Sequence, residues 1–156
     1  MLTFKNTLLC ILPIFLLVSC DRPPCEKANY YIALTSFTNA ESDTIVIRRF
    51  TKASNFTSLK DTFLLSETSS HFQRNNDTLL VLQPIEQNNS ITSTYDYEVF
   101  LPGANKLFQI SDIVENILTN NSGLGKVGCD NTFNSYQLNG QLVSVANTYG
   151  IVYLNK

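Results

Sequence analysis

The sequence predicts an all-β fold, an antiparallel two-sheet sandwich that follows a short N-terminal export segment. Apolar and β-branched runs of about five to eight residues recur after residue 29, and clusters of Asn, Ser, Thr, Asp and Gly separate them. Signals for long amphipathic helices are weak. The chain of 156 residues is long enough to bury the core of one domain.

An apolar segment lies close to the N-terminus. After Lys5, the eleven consecutive residues from Leu8 to Val18 are all apolar. This length fits the core of a secretory signal peptide and is too short for the ~20 residues of a transmembrane helix. We expect residues 5–18 to form a helix that stands apart from the folded domain and is later cleaved off.

Residues Leu17-Val18-Ser19-Cys20 follow this core and resemble the lipobox of bacterial lipoproteins. The resemblance implies that the Cys20 thiol carries diacylglycerol, that a peptidase cuts before Cys20, and that a fatty acid such as palmitate acylates the new amine. Each buried methylene contributes about 0.8 kcal/mol, so two or three acyl chains hold a protein on a membrane durably. Ordinary secretion with an unmodified Cys20 is the alternative, and Leu17 fits a conventional cleavage site poorly.

The lipoprotein interpretation divides the chain into a signal peptide at residues 1–19, a lipidated anchor and spacer at 20–28, and one β-sandwich domain at 29–156. It predicts a cell-envelope protein whose membrane contact is the N-terminal lipid. Asp21 favours the inner membrane in enterobacterial lipoproteins, but other lineages follow different sorting rules. We expect the outer membrane, at its periplasmic or surface face, with the inner membrane as the alternative.

Nine strands are predicted in the mature chain. Alternation is clearest in one of them, where Tyr95, Tyr97 and Val99 share one face while Asp96 and Glu98 share the other. The predicted strands are Tyr30–Phe37, Thr44–Thr51, Thr62–Ser66, Thr78–Gln83, Tyr95–Leu101, Lys106–Ile113, Phe133–Leu138, Gln141–Val145 and Ile151–Asn155.

Local signals refine this pattern. Leu79–Leu82 is apolar on both faces and predicts a central strand, and a slip in the alternation at Arg48-Arg49 indicates a β-bulge. Asn139-Gly140 predicts a type I′ hairpin turn, and Pro102–Asn105 a tight hairpin connection. Ser111–Leu118 has weak helical features and is equally well interpreted as the end of a long strand. Short strands without interleaved helices indicate an immunoglobulin-like or transthyretin-like sandwich.

Motifs for chemistry are sparse. Gly123–Gly128 has the letters of a dinucleotide fingerprint without its flanking strand and helix, so we expect a flexible loop between strands. His71 is the only histidine, and the chain has no Gly-x-Ser-x-Gly elbow for a catalytic triad. The segments 87–96 and 120–134 offer oxygen ligands but lack the residue order of a calcium loop. We expect no metal site and no cofactor.

Asp96 and Glu98 lie two residues apart on one strand face, which places them about 7 Å apart. Glycosidases hold their two carboxyl groups about 5–9.5 Å apart, so a catalytic pair is one interpretation. Solvent-facing acids that aid solubility are the interpretation we favour. Separately, four tyrosines could line a surface for sugar stacking. They are Tyr30, Tyr31, Tyr149 and Tyr153.

The four cysteines suggest one disulfide. Cys10 leaves with the signal peptide and Cys20 takes the lipid, so Cys25 and Cys129 remain to pair outside the cytoplasm. Two separate thiols are the alternative, because the sequence does not give the distance between them.

Four segments resemble small, uncharacterised bacterial lipoproteins with a β-sandwich domain. The segments are Asp96–Pro102, Lys106–Ile113, Cys129–Asn131 and Asn139-Gly140. The resemblance implies a lipid-anchored sandwich and no catalytic activity. Thr44 and Thr78 follow aspartates and resemble acceptors of some Gram-negative O-glycosylation systems; both also fit ordinary strand starts.

The main functional hypothesis is a non-enzymatic binding or assembly module with a protein or glycan ligand in the envelope. A net charge of −2 argues against a nucleic-acid partner. One alternative is an envelope hydrolase that acts on glycan or peptidoglycan, with Asp96 or Glu98 as the acid. The other is a structural or stress component of the envelope.

Overall fold

The computed structural model describes residues 30–66, 72–81, 91–122, 126–145 and 150–156, with side chains except at 81, 117–122 and 126–132. The expected signal helix, the cleavage site before Cys20 and the spacer lie outside these residues. Within the described ranges, no helix is long and apolar enough to cross a membrane.

The described residues form ten β-strands, one turn of α-helix (α1, Asn39–Ser42) and a 3-10 turn at Pro102–Ala104. The strands are β1 Tyr31–Thr35, β2 Thr44–Thr51, β3 Leu59–Ser66, β4 Phe72–Asn75, β5 Thr78–Val81, β6 Tyr95–Leu101, β7 Lys106–Ser122, β8 Lys126–Leu138, β9 Gln141–Ser144 and β10 Ile151–Asn155.

These strands form two sheets, one with the order β10-β1-β5-β4 and one with the order β3-β2-β6-β7-β8-β9. The predicted all-β, two-sheet sandwich is therefore confirmed. One strand pair departs from the antiparallel expectation, because β1 and β10 run parallel, with Tyr31 opposite Ile151. Alternation alone could not reveal this, since a strand shows the same two-residue period in either direction.

The hydrophobic core lies between the sheets, and alternate residues of each strand point into it. In β2 the buried side chains Ile45 and Ile47 alternate with partly exposed ones. Full burial of such a side chain contributes roughly 1.5–3 kcal/mol. Both sheets supply core residues, among them Ile32, Leu34, Leu79, Val152 and Leu154 from the four-stranded sheet and Val99, Leu101, Ile110 and Ile113 from the six-stranded sheet.

Several local predictions are confirmed. The strands β2, β6 and β10 have the predicted bounds, and β5 lies inside its sheet. Asn139 and Gly140 have φ of 51° and 77°, and they close a hairpin in which Leu138 faces Gln141. Two positive φ angles are what a type I′ turn requires.

The predicted bulge lies close to its expected position but on the neighbouring strand. Arg49 is opposite Asp61 and Phe50 is opposite Leu59, so the extra residue is Lys60 of β3. A bulge on either strand of a pair shifts the register between them, and β2 keeps its own continuous pairing with β6.

The hairpin of β7 and β8 is longer than the sequence indicated. Ser111–Leu118 continues β7 without a helix, and Ser122 pairs with Lys126. The loop expected at Gly123–Gly128 is wrong for residues 126–128, which belong to β8; residues 123–125 lie outside the described part. The polar residues of this hairpin are of types that are common in turns, yet those from Glu115 to Ser122 each pair with a residue of β8.

Two short elements were missed. β4 lies in a segment where no strand was predicted, and it pairs with β5 across a turn in which Asn76 has a φ of 51°. Helix α1 begins after Thr38, whose N–H donates to the Glu41 Oε2 at 2.9 Å. Thr-x-x-Glu is the capping-box signature, so the sequence did carry a signal for this helix.

Candidate functional site

A polar recess of about 470 Å³ opens on the outer face of the six-stranded sheet, the face turned away from the core. Small-molecule sites have volumes of about 300–1,000 Å³. The recess is lined by Ala53, Asn55, Phe56, Asp96, Gln109, Ser111, Asp112, Gln137 and Gly140.

Asp96 forms the floor of the recess. The alternation of β6 turns Tyr97 and Val99 into the core and places Asp96 on the outer face, as predicted. Asp96 is nevertheless only 2% exposed. The expectation of a solvent-facing acid is therefore wrong for this residue. Its cover comes from a segment that folds back over the sheet, which strand alternation does not describe.

Aromatic packing holds this cover in place. Phe50 lies opposite Asp96 on β2 and is 6% exposed, although it sits on the outer face. Phe56 packs against Phe50 with ring centroids 5.5 Å apart at 78°. This edge-to-face contact shields the end of the strand pair from solvent.

The covering segment is the turn at residues 52–58 between β2 and β3. Ala53, Asn55 and Phe56 have φ of 58°, 50° and 57°, in the left-handed region. L-residues pay about 1–2 kcal/mol each to adopt that region, so the turn needs compensating contacts.

Hydrogen bonds supply those contacts. The Ala53 N–H donates to the Asp96 Oδ2 at 2.8 Å. The Lys52 Nζ donates to the carbonyl oxygens of Ser93 and Ile113 at 3.0 and 3.1 Å. The turn is thus attached both to the floor of the recess and to the adjoining strands.

A bulge in β7 forms the opposite wall. Ser111 is opposite Gln137 and Val114 is opposite Ser135, which leaves one extra residue on β7. Asp112 has a φ of 49° and is exposed at the recess. Bulges re-aim side chains in this way, and they recur beside functional sites.

Glu98 does not share the recess with Asp96. Its Oε2 lies 3.3 Å from the Arg48 Nη1, and its Oε1 accepts a hydrogen bond from the Gln109 Nε2 at 3.1 Å. The side chain is 14% exposed. The second carboxylate of the recess is therefore Asp112 and not the Glu98 that the strand spacing suggested.

The recess has a negative character. Burial raises the pKa of the Asp96 carboxyl, the Asp112 charge adds to this effect, and the backbone N–H groups of Ala53 and Asp112 and the Lys52 charge oppose it. The Asp96 Oδ1 is buried with no hydrogen-bond partner in the described part of the chain. A buried polar atom without a partner costs about 1–3 kcal/mol, so native proteins keep few of them.

The recess can accept hydrogen bonds from neutral or cationic groups, and it repels anions. It contains two carboxylates, three side-chain amides and one hydroxyl, and no Lys, Arg or His is among its lining residues. Within the described ranges, no three His, Cys, Asp or Glu side chains group together in a way that could hold a metal ion.

Most of these lining residues were not singled out by sequence reasoning, among them Asp112 in the β7 wall. One signal could have revealed the wall: Ile110 and Ile113 are apolar and three residues apart, an odd spacing that a regular strand cannot place on one face. Both are buried, and the bulge lies between them. The other missed residues are Ala53, Asn55, Phe56, Gln109 and Gln137.

The predicted tyrosine surface is not assembled as expected. Tyr30 lies inside the sandwich, where it is 1% exposed and its hydroxyl donates a hydrogen bond to the Glu115 Oε2. Tyr31 is partly buried, and Tyr149 lies outside the described residues. Tyr153 is 43% exposed and lines a groove of about 480 Å³ on the outer face of the four-stranded sheet.

Other sequence predictions fall outside the described side chains. Cys20, Cys25 and His71 lie in segments that are not described, and so do residues 87–90 of the segment 87–96. Cys129 is placed by its backbone alone, in β8 opposite Thr119.

The two threonines considered as glycosylation acceptors both begin strands. Thr44 is the first residue of β2, after the exposed Asp43. Thr78 is the first residue of β5, after the exposed Asp77, and it is partly buried, as Thr44 is.

No family model matches this chain, and neither a curated protein nor a solved structure is found to be similar to it.

Proposed function

We propose that the chain is a lipid-anchored cell-envelope protein that acts as a non-enzymatic binding module, with the recess around Asp96 as its ligand site. The observation that carries this proposal is the buried Asp96 carboxylate, one oxygen of which has no hydrogen-bond partner in the described ranges and lies beneath a polar recess. A buried polar atom without a partner destabilises the fold, so its presence in a native protein points to a role in ligand binding or in a reaction.

The lipid anchor is supported by the apolar core at Leu8–Val18 and the lipobox that ends at Cys20. Cells fed a labelled fatty acid should incorporate it into the wild-type protein and not into Cys20→Ser. Cys25→Ser is the matched control, because it removes a nearby thiol and should keep the label. Equal labelling of wild type and Cys20→Ser would remove the basis for the anchor. Membrane fractionation of the same cells then distinguishes the outer from the inner membrane.

The binding function is tested by crosslinking in whole envelopes followed by purification. Material crosslinked to the wild type should be lost with Asp96→Asn, which keeps the side-chain shape and removes the charge. Asp43→Asn changes an exposed acid at the end of α1 and should keep the crosslinked material. Identical crosslinking of all three proteins would rule out the recess as the ligand site.

A hydrolase is the second candidate, and the raised pKa of Asp96 favours it. General acids in glycosidases also have raised pKa values, and Asp112 provides a second carboxylate in the same recess. Turnover of peptidoglycan or polysaccharide that Asp96→Asn abolishes would replace the binding function with this one.

A disulfide between Cys25 and Cys129 forms part of the proposal. It would close a loop of roughly 100 residues, which the chain-entropy model values at up to about 4.7 kcal/mol. It would also attach the residues near the anchor to the long β7–β8 hairpin. Mass spectrometry of the non-reduced mature protein should find the linked peptide pair, and two alkylated thiols in oxidised material would refute the bond.

A further inference from the structure

We infer, on the basis of the binding function proposed above, that the recess around Asp96 takes a saccharide that is uncharged or carries an amino group.

Charge excludes one large class of ligands. The two carboxylates of the recess, Asp96 and Asp112, face no cationic side chain among its lining residues. Two cations outside the lining have other partners: Arg48 pairs with Glu98, and the Lys52 Nζ binds backbone carbonyls while its charge opposes the effect of burial on the pKa of Asp96. Lys52 is one cation against two carboxylates, so a phosphate, a uronate or another acidic sugar would meet a net negative charge.

Polarity excludes a second class. Among the described residues that line the recess, Phe56 is the only aromatic one, and the others are mostly polar. An apolar peptide or an acyl chain would leave these polar groups without partners, at a cost for each one. Amides both donate and accept hydrogen bonds, and so do sugar hydroxyls, so Asn55, Gln109 and Gln137 match a polyhydroxylated ligand.

The floor of the recess favours a strong donor. The Asp96 Oδ1 has no hydrogen-bond partner among the described residues, and it lies beneath a turn with three residues in the left-handed region. Because Oδ1 is buried, a ligand group would contact it only after an outward movement of this turn. A hydroxyl would donate a hydrogen bond there, and an ammonium would donate a stronger one because both partners are charged.

Three matched probes test the inference: D-glucose, D-glucosamine and D-glucuronate, which share one ring and differ in charge. Binding is followed by two-dimensional 1H–15N NMR of the whole mature protein, purified from whichever cell fraction contains it. Glucosamine should bind more tightly than glucose, and glucuronate should bind least. The largest shifts are expected at the backbone N–H groups of Ala53, Gln109 and Asp112, which belong to the recess.

Variants then assign the preference to the carboxylate. Asp96→Asn should lose the advantage of glucosamine over glucose, a change of about tenfold, or about 1.4 kcal/mol. Asp43→Asn should keep it. Asp112→Asn, which changes an exposed side chain, should reduce the same preference, and it provides the test if Asp96→Asn fails to fold.

Four results would overturn the inference. They are no shift with any of the sugars, equal binding of glucuronate and glucosamine, shifts confined to the groove beside Tyr153, and recess shifts produced by CaCl2 alone and reversed by EDTA. The last would indicate a metal site. None of them decides the proposed binding function, because the crosslinking experiment on Asp96→Asn uses whole envelopes and no added sugar.

Discussion

Tyr97 offers the most direct test of how the sandwich is held together near the recess. Its ring is fully buried at the centre of β6, and its hydroxyl accepts a hydrogen bond from the Thr92 N–H at 2.8 Å and donates one to the Thr92 carbonyl at 3.3 Å. Burial raises the pKa of Tyr97, so the hydroxyl stays neutral and able to donate. The segment before β6 is thereby fixed to its own strand, as in the tyrosine corner of other sandwiches.

Tyr97→Phe keeps the ring and removes the hydroxyl. Each hydrogen bond is worth about 0.5–1.5 kcal/mol net, and the backbone groups of Thr92 would lose their partner in a partly buried position. We expect a loss of about 2 kcal/mol in the free energy of unfolding. For a domain of this size, that corresponds to a fall of about 8 °C in Tm.

Urea denaturation followed by tyrosine fluorescence and circular dichroism measures this change. Tyr153→Phe is the matched control, because its ring is 43% exposed and its loss should stay within about 0.5 kcal/mol. A loss below about 0.5 kcal/mol for Tyr97→Phe, with an unchanged slope against urea, would show that the hydroxyl does not hold the segment.

The remaining predictions concern the hairpin turn and two carboxyl groups. Gly140→Ala should lower the free energy of unfolding in urea by about 1 kcal/mol, because φ is 77°; nothing lies within 4 Å of the added Cβ, so no clash adds to this cost. Gly140→Asn should lower it less, since Asn tolerates positive φ. Lys156 and the Thr38 N–H lower the pKa of Glu41 from 4.5 to about 2. The ionised Glu41 side chain therefore stabilises the folded protein above pH 4.5, and this contribution is lost as the pH falls towards 2. Glu41→Gln should remove that part of the acid dependence, and equal pH profiles of Tm for variant and wild type would contradict it. Burial raises the pKa of the Asp96 carboxyl, so its negative charge destabilises the fold at neutral pH. Without ligand, Asp96→Asn should therefore be more stable than wild type at neutral pH, and the difference should shrink on acidification. A difference that stays constant with pH would contradict this sign.

Much of the fold could be predicted because the relevant forces are local. The alternation of apolar and polar residues predicted the bounds of β2 and β6. Asn139-Gly140, two residue types that tolerate positive φ, predicted the turn at which both φ angles are positive. The parallel pairing of β1 and β10 was not predictable in this way, since it joins strands about 120 residues apart. The long β7–β8 hairpin was underestimated because Asn, Thr and Ser resemble turn residues unless their cross-strand partners are known.

The candidate site was only half predictable, and the reason is specific to Asp96. Strand alternation placed Asp96 and Glu98 together on the outer face, and the structure agrees. The alternation gave no information about the turn at residues 52–58, whose N–H at Ala53 reaches across to Asp96 from another part of the chain.

The two acids have different environments because different neighbours face them. Glu98 lies beside Arg48 and Gln109 in the middle of the sheet, where its charge is compensated. Asp96 lies where β2 ends, beneath a turn that provides a backbone N–H, an aromatic cover and the charge of Lys52, whose Nζ binds two backbone carbonyls. One extra residue in β7 then brings Asp112 to the same place. A carboxylate that is buried, repelled by a second one and left with one oxygen that none of the described residues contacts by a hydrogen bond is unfavourable in the isolated protein. The same features make it a strong acceptor for a donor that arrives from solution.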